Sequence, residues 1–369
     1  MMKKLLKILK ILVIILIIQI IIIALLVGGF ILYSGIKEKE YQKYKGHGFE
    51  YMHGYSSTNF TGYHVYDGEK LVTLDHEPSL LIENEKDMPI LDGAEACYPV
   101  YCAIAKAVYK DIDKIELEIA QIDIKEPKSV IDEDIYEYIF NNGKIVTFTN
   151  SSWGYARLIN REIDLFMGAR PSNDQLEDAK FNNVIIESIP VGKEAFVFFV
   201  EQDNPIDNLS SDDIRKIYSG EITNWKQLGG KNQKIVAFQR PENSGSQVMM
   251  NVFMKDVKLK DPDTIEMISA MGGVVKQVKQ YHNEKGAIGY TFRYFLEELN
   301  QEEGVKILSV DGIYPSVENI KNGSYPILAD LVVSKLEDND SENVDKLIEF
   351  ILSNDGQYII EKTGYGPIN

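Results

Sequence analysis

Apolar residues are spread along this chain in two different ways. From Ile11 to Leu32 they form one block, ILVIILIIQIIIIALLVGGFIL, 22 residues without a charge and with Gln19 as the strongly polar member. At 1.5 Å per residue such a helix would measure about 33 Å, enough to cross a hydrocarbon core of roughly 30 Å. Lys3, Lys4, Lys7 and Lys10 precede the block and favour an N-terminus held inside. The block exceeds the length of a signal-peptide core, no A-x-A-like site follows it, and no cysteine near its end offers a lipid attachment point. The expectation is one N-terminal transmembrane helix: a single-pass anchor in the cell membrane, its C-terminal domain extracellular, with a juxtamembrane stalk over residues 34–67.

Beyond residue 67 the apolar positions come in short groups of alternating period. KIVTFTN (144–150), IDLFMGA (163–169), EAFVFFVEQ (194–202), KIVAFQR (234–240) and KGAIGYTF (285–292) read as strands. VYCAIAKAVYK (100–110), SSWGYARLINREI (151–163), SNDQLEDAKF (172–181), LSSDDIRKIYSG (209–220) and SGSQVMMNVFMKDV (244–257) read as helices. Ser151 or Ser152 is placed to cap the second of these, and LSSDDIRKIYSG combines a serine cap, early acids and a terminal glycine. KLIEFILSNDGQYIIEKTGY (346–365) closes the chain with helical periodicity. Repeated strand–helix units predict an α/β architecture with mostly parallel sheets.

Charge narrows the choice of partners. The chain carries a net charge of −17, and without the four N-terminal lysines the remainder carries −21. Nucleic acid and anionic lipid both demand positive surfaces, so neither is an expected partner. Residues 34–369, 336 in number, exceed one hydrophobic core, which predicts two lobes. The two cysteines, Cys97 and Cys102, stand five apart. Two buried free thiols are the better reading, with a disulfide as the alternative. His47, His53, His64, His76 and His282 make no ligand-spaced set, and neither a G-x-S-x-G elbow nor a Walker loop is present. No metal, cofactor or catalytic residue is expected.

Three strand-to-helix junctions hold the candidate chemistry: DGAEACYP (92–99), TNSSWG (149–154) and QRPENSGSQ (239–247). Each offers amides at a helix start and most offer short hydroxyl side chains, which suits an oxyanion. In the third, Arg240 adds bidentate donors, with Glu242 close enough to hold its guanidinium. A serine-rich helix start is equally well read as a plain cap, and the sequence does not show whether the three junctions meet.

The chain resembles the phosphate-binding proteins that feed bacterial ABC transporters, members of the periplasmic-type binding-protein superfamily. NPIDNLSSDDIRKIYSGEITNWKQLGG (204–230) carries the resemblance most strongly, and RPENSGSQ (240–247) is similar to the family's Arg–x–acid–x–Ser–Gly–Thr ligand loop. KGAIGY, NGSYPI and LSNDGQYIIEKTGYGPI follow in the family's order. The resemblance implies a type II two-lobe fold with a hinge in AFVFFVEQ and AIGYTF. Lobe I would comprise 68–195 and 288–369, and lobe II 196–287. It further implies a monomeric, non-enzymatic receptor that captures inorganic phosphate between the lobes and presents it to an ABC permease. Carried over residue by residue, the ligand set is Arg240, Ser244, Gly245 and Ser246 from lobe II and Cys97, Tyr98 and Ser151 or Ser152 from lobe I, with Glu242 in support.

Two departures bear on the ligand. Cys97 stands where the family has a threonine that offers hydroxyl and amide. The aspartate with which the family accepts the proton of hydrogen phosphate, and so rejects sulfate, falls in GARPSND at Ala169 or Arg170. Arg170 in the cleft would add positive charge, and Asp174 or Glu95 would have to serve as acceptor. Another small anion, such as a carboxylate, a sulfate-like ion or a phosphorylated organic species, is the alternative ligand. A sensory or adhesive module with a degenerate cleft is the alternative role.

Overall fold

The computed structural model describes residues 13–19, 22–23, 27–29, 60–125, 143–240, 242–261, 286–300 and 304–368. Strand β1 (Leu91–Gly93) leads through a 3-10 turn at Glu95–Cys97 into α1 (Tyr98–Val108), followed by α2 (Ile112–Lys125). Pro99 lies in the first turn of α1, where a missing N–H breaks no helical bond. Helix α3 (Ser151–Ile159), strand β2 (Leu165–Gly168) and helix α4 (Asn173–Phe181) lead to the long strand β3 (Ile186–Glu201). Then come α5 (Ser211–Ser219), β4 (Val236–Ala237), α6 (Gly245–Met254), β5 (Ala287–Phe292), β6 (Val305–Ile307), β7 (Leu328–Leu336), α7 (Glu342–Leu352) and α8 (Asn354–Thr363).

The strands run in the order β1–β2–β7–β3–β5–β4, with β6 also on β3. The junction between the two halves of the fold lies inside β3. Through Ile186–Ala195 it pairs antiparallel with β7, and through Phe196–Phe292 to Val200–Ile288 it pairs antiparallel with β5. One sheet region thus gathers β1, β2, β7 and the first part of β3, and the other gathers β4, β5, β6 and its last part. The result is a mixed α/β fold of two lobes. Against the expected predominance of parallel pairing, this sheet is parallel at its edges, for β1 with β2 and β4 with β5, and Asn208–Leu209 pairs parallel with Ser309–Val310 beside it. At the centre a strand shared by both lobes is met head-to-tail by the strands that return to it. Its outer segment AFVFFV is buried throughout, and Phe196 and Phe198 pack against Tyr290 of β5.

Local chemistry explains where the other expectations shift. Lys144–Asn150 forms only a bridge beside β1, at Leu91–Val146, because the amides of Lys144, Ile145 and Val146 donate to the Glu116 carboxylate at 2.7–3.1 Å. Asn150, rather than either serine, caps α3 by accepting from Trp153 N–H. The closing helical run divides at Ser353, whose side chain caps α8. Both cysteines are free and buried.

The expected membrane anchor is corrected. Among the described residues no helix is long and apolar enough to cross a membrane. The longest described piece of the Ile11–Leu32 block is helix at 13–19, about 10 Å of rise against the roughly 30 Å required. The single-pass topology and cell-membrane placement that rested on this helix go with it. Residues 11–12, 20–21, 24–26 and 30–32 of the block and residues 34–59 of the expected stalk lie outside the described residues. Phe60 and Val65, at the stalk's far end, are buried in the core.

Candidate functional site

The stretch after β4 is positioned by both lobes. Phe238 N–H donates to Ile288 O of β5 at 3.0 Å, the last ladder-like bond before the loop. Ser244 then caps α6 by accepting from Gln247 N–H. Between them Arg240 is buried, with 7% of its surface exposed. Burial pulls its guanidinium down to about 10, against the opposing pull of Tyr290 and Glu95, which favour the charged form. Glu95 therefore lies within electrostatic reach of Arg240 although it belongs to the junction after β1. Ser246, in the first turn of α6, is buried, and its Oγ has no hydrogen-bond partner among the described residues.

Facing this loop is the start of α3. A Cβ on Gly245 would lie 3.0 Å from Ser151 Oγ and 3.1 Å from the Ala169 Cβ. Both distances are tighter than most Cβ contacts, so glycine at 245 eases the close approach of the two helix starts. Asn243 bridges them: its carbonyl accepts from Ser152 Oγ at 3.4 Å and its Oδ1 accepts from Ser172 Oγ at 2.7 Å. The second and third junctions thus converge, with the lobes in contact across them.

The first junction comes within electrostatic reach of Arg240 through Glu95. Cys97 N–H donates to Ala94 O at 2.8 Å and Tyr98 N–H to Glu95 O, so the 3-10 turn consumes both amides. The Cys97 side chain is buried against Tyr365, and burial pushes its thiol up to about 12. Tyr98 points into the core among Phe60, Phe148 and Tyr101, its hydroxyl 2.8 Å from His64 Nδ1. Arg170 is also spent elsewhere, donating from Nε and Nη2 to Asp330 Oδ2 of β7 at 3.1 and 2.8 Å, with both side chains about half exposed. Glu242 accepts from Asn251 Nδ2 at 3.0 Å.

Beneath the site, Asp92 at the end of β1 is fully buried and receives Arg157 Nη1, Thr149 Oγ1 and Gly93 N–H. This ties β1 to α3 and so fixes the start of α3. Asn243 and Tyr290 lie inside segments singled out from the sequence but carry no visible signal there. Only the fold shows Asn243 reaching the other lobe and Tyr290 reaching Arg240.

A guanidinium, a buried hydroxyl and helix-start amides, near two more serines, are donor groups of the kind that suits a small oxyanion. A family model described as a PBP superfamily domain matches residues 128–355. The chain is similar to the phosphate-binding protein PstS of Borreliella burgdorferi, 26% identical over 246 residues, 64% of this chain and 85% of that protein. It is similar to the phosphate-binding protein PstS of Bacillus subtilis, 36% identical over 132 residues, 35% of this chain and 40% of that protein. A crystal structure of an ABC-type phosphate transport receptor from Vibrio cholerae is similar over 75% of this chain and 99% of that one, with a TM-score of 0.48 and 20% identity.

Proposed function

Because the chain belongs to the PBP superfamily, a group of solute-binding rather than catalytic proteins, we propose that it captures inorganic phosphate between its lobes for an ABC permease. In this reading lobe I is built on β1, β2, β7 and the first part of β3, lobe II on β4, β5, β6 and the last part of β3, and the lobes close about β3 and β5. Arg240, Ser244, Gly245 and Ser246 bind from lobe II, and Ser151 and Ser152 from lobe I. The observation that carries it is the buried Ser246 hydroxyl, without a hydrogen-bond partner among the described residues, in the same loop-to-helix stretch as the buried Arg240 and next to Gly245, which packs against Ser151. A buried hydroxyl without a partner costs about 1–3 kcal/mol, a cost that an oxyanion at this place would remove.

Glu95 supplies the acceptor that a protonated oxyanion requires. Its carboxylate near Arg240 takes the role that the family gives to an aspartate in the stretch now held by Ala169 and Arg170. A dianion without a proton, such as sulfate, would meet this carboxylate as a like charge. Pairing of Arg170 with Asp330 also removes the extra positive charge that would favour a more highly charged ligand. Titration calorimetry of the protein with phosphate, sulfate and acetate across pH 5–8 tests the reading. Submicromolar phosphate binding with sulfate rejected is the expected result. Heat with sulfate or acetate but none with phosphate would overturn it.

A further inference from the structure

Glu242, expected from the sequence to support Arg240, accepts from Asn251 Nδ2 through Oε1. The backbone of Arg240 is held by two further side chains. Arg240 N–H lies 3.0 Å from Gln247 Oε1 and 3.0 Å from Tyr290 Oη, and the Tyr290 hydroxyl donates to the same Gln247 oxygen. Both residues are buried, at 3% and 1% exposure. Gln247 lies in the first turn of α6 and Tyr290 lies in β5, the strand that pairs with the outer part of β3.

Each member of this triangle is itself held. Gln247 Nε2 donates to Asn251 Oδ1 at 3.0 Å, and Asn251 Nδ2 donates to Glu242 Oε1. The Tyr290 ring is packed between Phe196 at 5.4 Å and Tyr218 at 5.5 Å. Pro241 follows Arg240, so the next position has no N–H to anchor the loop and Arg240 itself is biased to extended backbone. Its own amide is the place where the loop can be fastened.

We infer that Gln247 and Tyr290 are the positioning residues of Arg240, fixing its guanidinium and tying it to the strand about which the lobes join. The inference rests on the reading of Arg240 as an anion ligand. A ligand group is effective only while its support holds it to a fraction of an ångström. Movement of β5 relative to α6 would therefore be felt at Arg240 directly, through one tyrosine hydroxyl.

The test uses the whole protein with Tyr290→Phe, and with Gln247→Met as a second variant of similar length. Three quantities are measured: phosphate affinity by calorimetry, Tm, and the Arg240 Nε–Hε resonance of ligand-free protein, assigned by its loss in Arg240→Lys. Each variant is expected to weaken phosphate binding about tenfold, the equivalent of one hydrogen bond to a charged group. The Arg240 resonance should shift or broaden while that of Arg157 stays in place. A lower Tm with unchanged affinity and an unmoved Arg240 resonance would show a purely structural role and overturn the inference. If the unaltered protein gives no heat with phosphate, the phosphate reading fails by itself. The resonance then decides: displacement upholds the positioning role, and an unmoved signal overturns it.

Discussion

The junctions at 92–98 and 240–247 look alike in sequence, since each carries a strand into a helix start, yet they end in opposite states. At the first, the polar groups are consumed locally. Gly93 N–H turns back to its own Asp92 side chain, and the amides of Cys97 and Tyr98 close a 3-10 turn. Asp92 itself is bound by Arg157 and Thr149. At the second, the helix starts without such a turn, an arginine is buried, and a buried serine hydroxyl finds no partner among the described residues. Polar groups satisfied within the fold stabilise it, whereas a buried hydroxyl without a partner carries a cost that a bound oxyanion would remove.

The largest effect should come from Arg240→Ala, since it removes the charge that the second junction buries. Phosphate affinity measured by calorimetry should fall by more than about 100-fold, from the loss of a charge-assisted and bidentate donor. Tm should scarcely change, because the desolvation cost of the guanidinium leaves with it. Retained affinity would break the contrast by showing that the second junction is also only structural.

A paired substitution sharpens the same contrast on a smaller scale. Ser246→Ala should weaken phosphate about tenfold, the value of one hydrogen bond to an anion, without loss of stability, since the alanine leaves no orphaned hydroxyl. Cys97→Ser should leave affinity within about twofold and instead lower stability by about 1–2 kcal/mol, as a hydroxyl is placed among apolar neighbours. Denaturant unfolding and calorimetry on both variants separate the cases. An affinity loss in Cys97→Ser as large as that in Ser246→Ala would mean that the first junction touches the ligand after all.

Much of this was legible from the chain because the signals were local. Serine caps, the glycine after α5 and the apolar strand AFVFFVEQ all act over a few residues, and they placed α4, α5, α6 and β3 correctly. What was not legible depends on distance. The role of Glu116 in taking the amides of Lys144–Val146 spans 28 residues or more, and it turned an expected strand into a single bridge. Cys97 and Tyr98 entered the ligand set through the resemblance to the family, and no local signal announces that a 3-10 turn would use their amides. Arg170 was a candidate for the cleft, and no local signal shows its pairing with Asp330, which lies 160 residues away. The triangle of Arg240, Gln247 and Tyr290 likewise closes only when β5 lies beside β4.

The smallest effect concerns pH, and it probes whether the first junction's charge is structural. Burial raises the Asp92 carboxyl from 3.8 to about 6, against the pull of Arg157, Thr149 and the Gly93 amide in the other direction. Its folded value thus lies above its unfolded value, so between the two the folded chain binds more proton than the unfolded chain. The group's contribution to stability is therefore fully present below about pH 4, declines as pH rises through about 6, and is flat above that. Asp92→Asn removes this titration and leaves Arg157 without its carboxylate. The variant should be less stable than the natural chain throughout, with a gap that is widest near pH 4 and narrows by about 2 kcal/mol on the way to pH 7. Urea unfolding of both proteins at four pH values in that range measures the gap. A gap that widens with pH would mean that Arg157 outweighs burial and holds Asp92 ionised, so that the first junction stores a working charge as the second does.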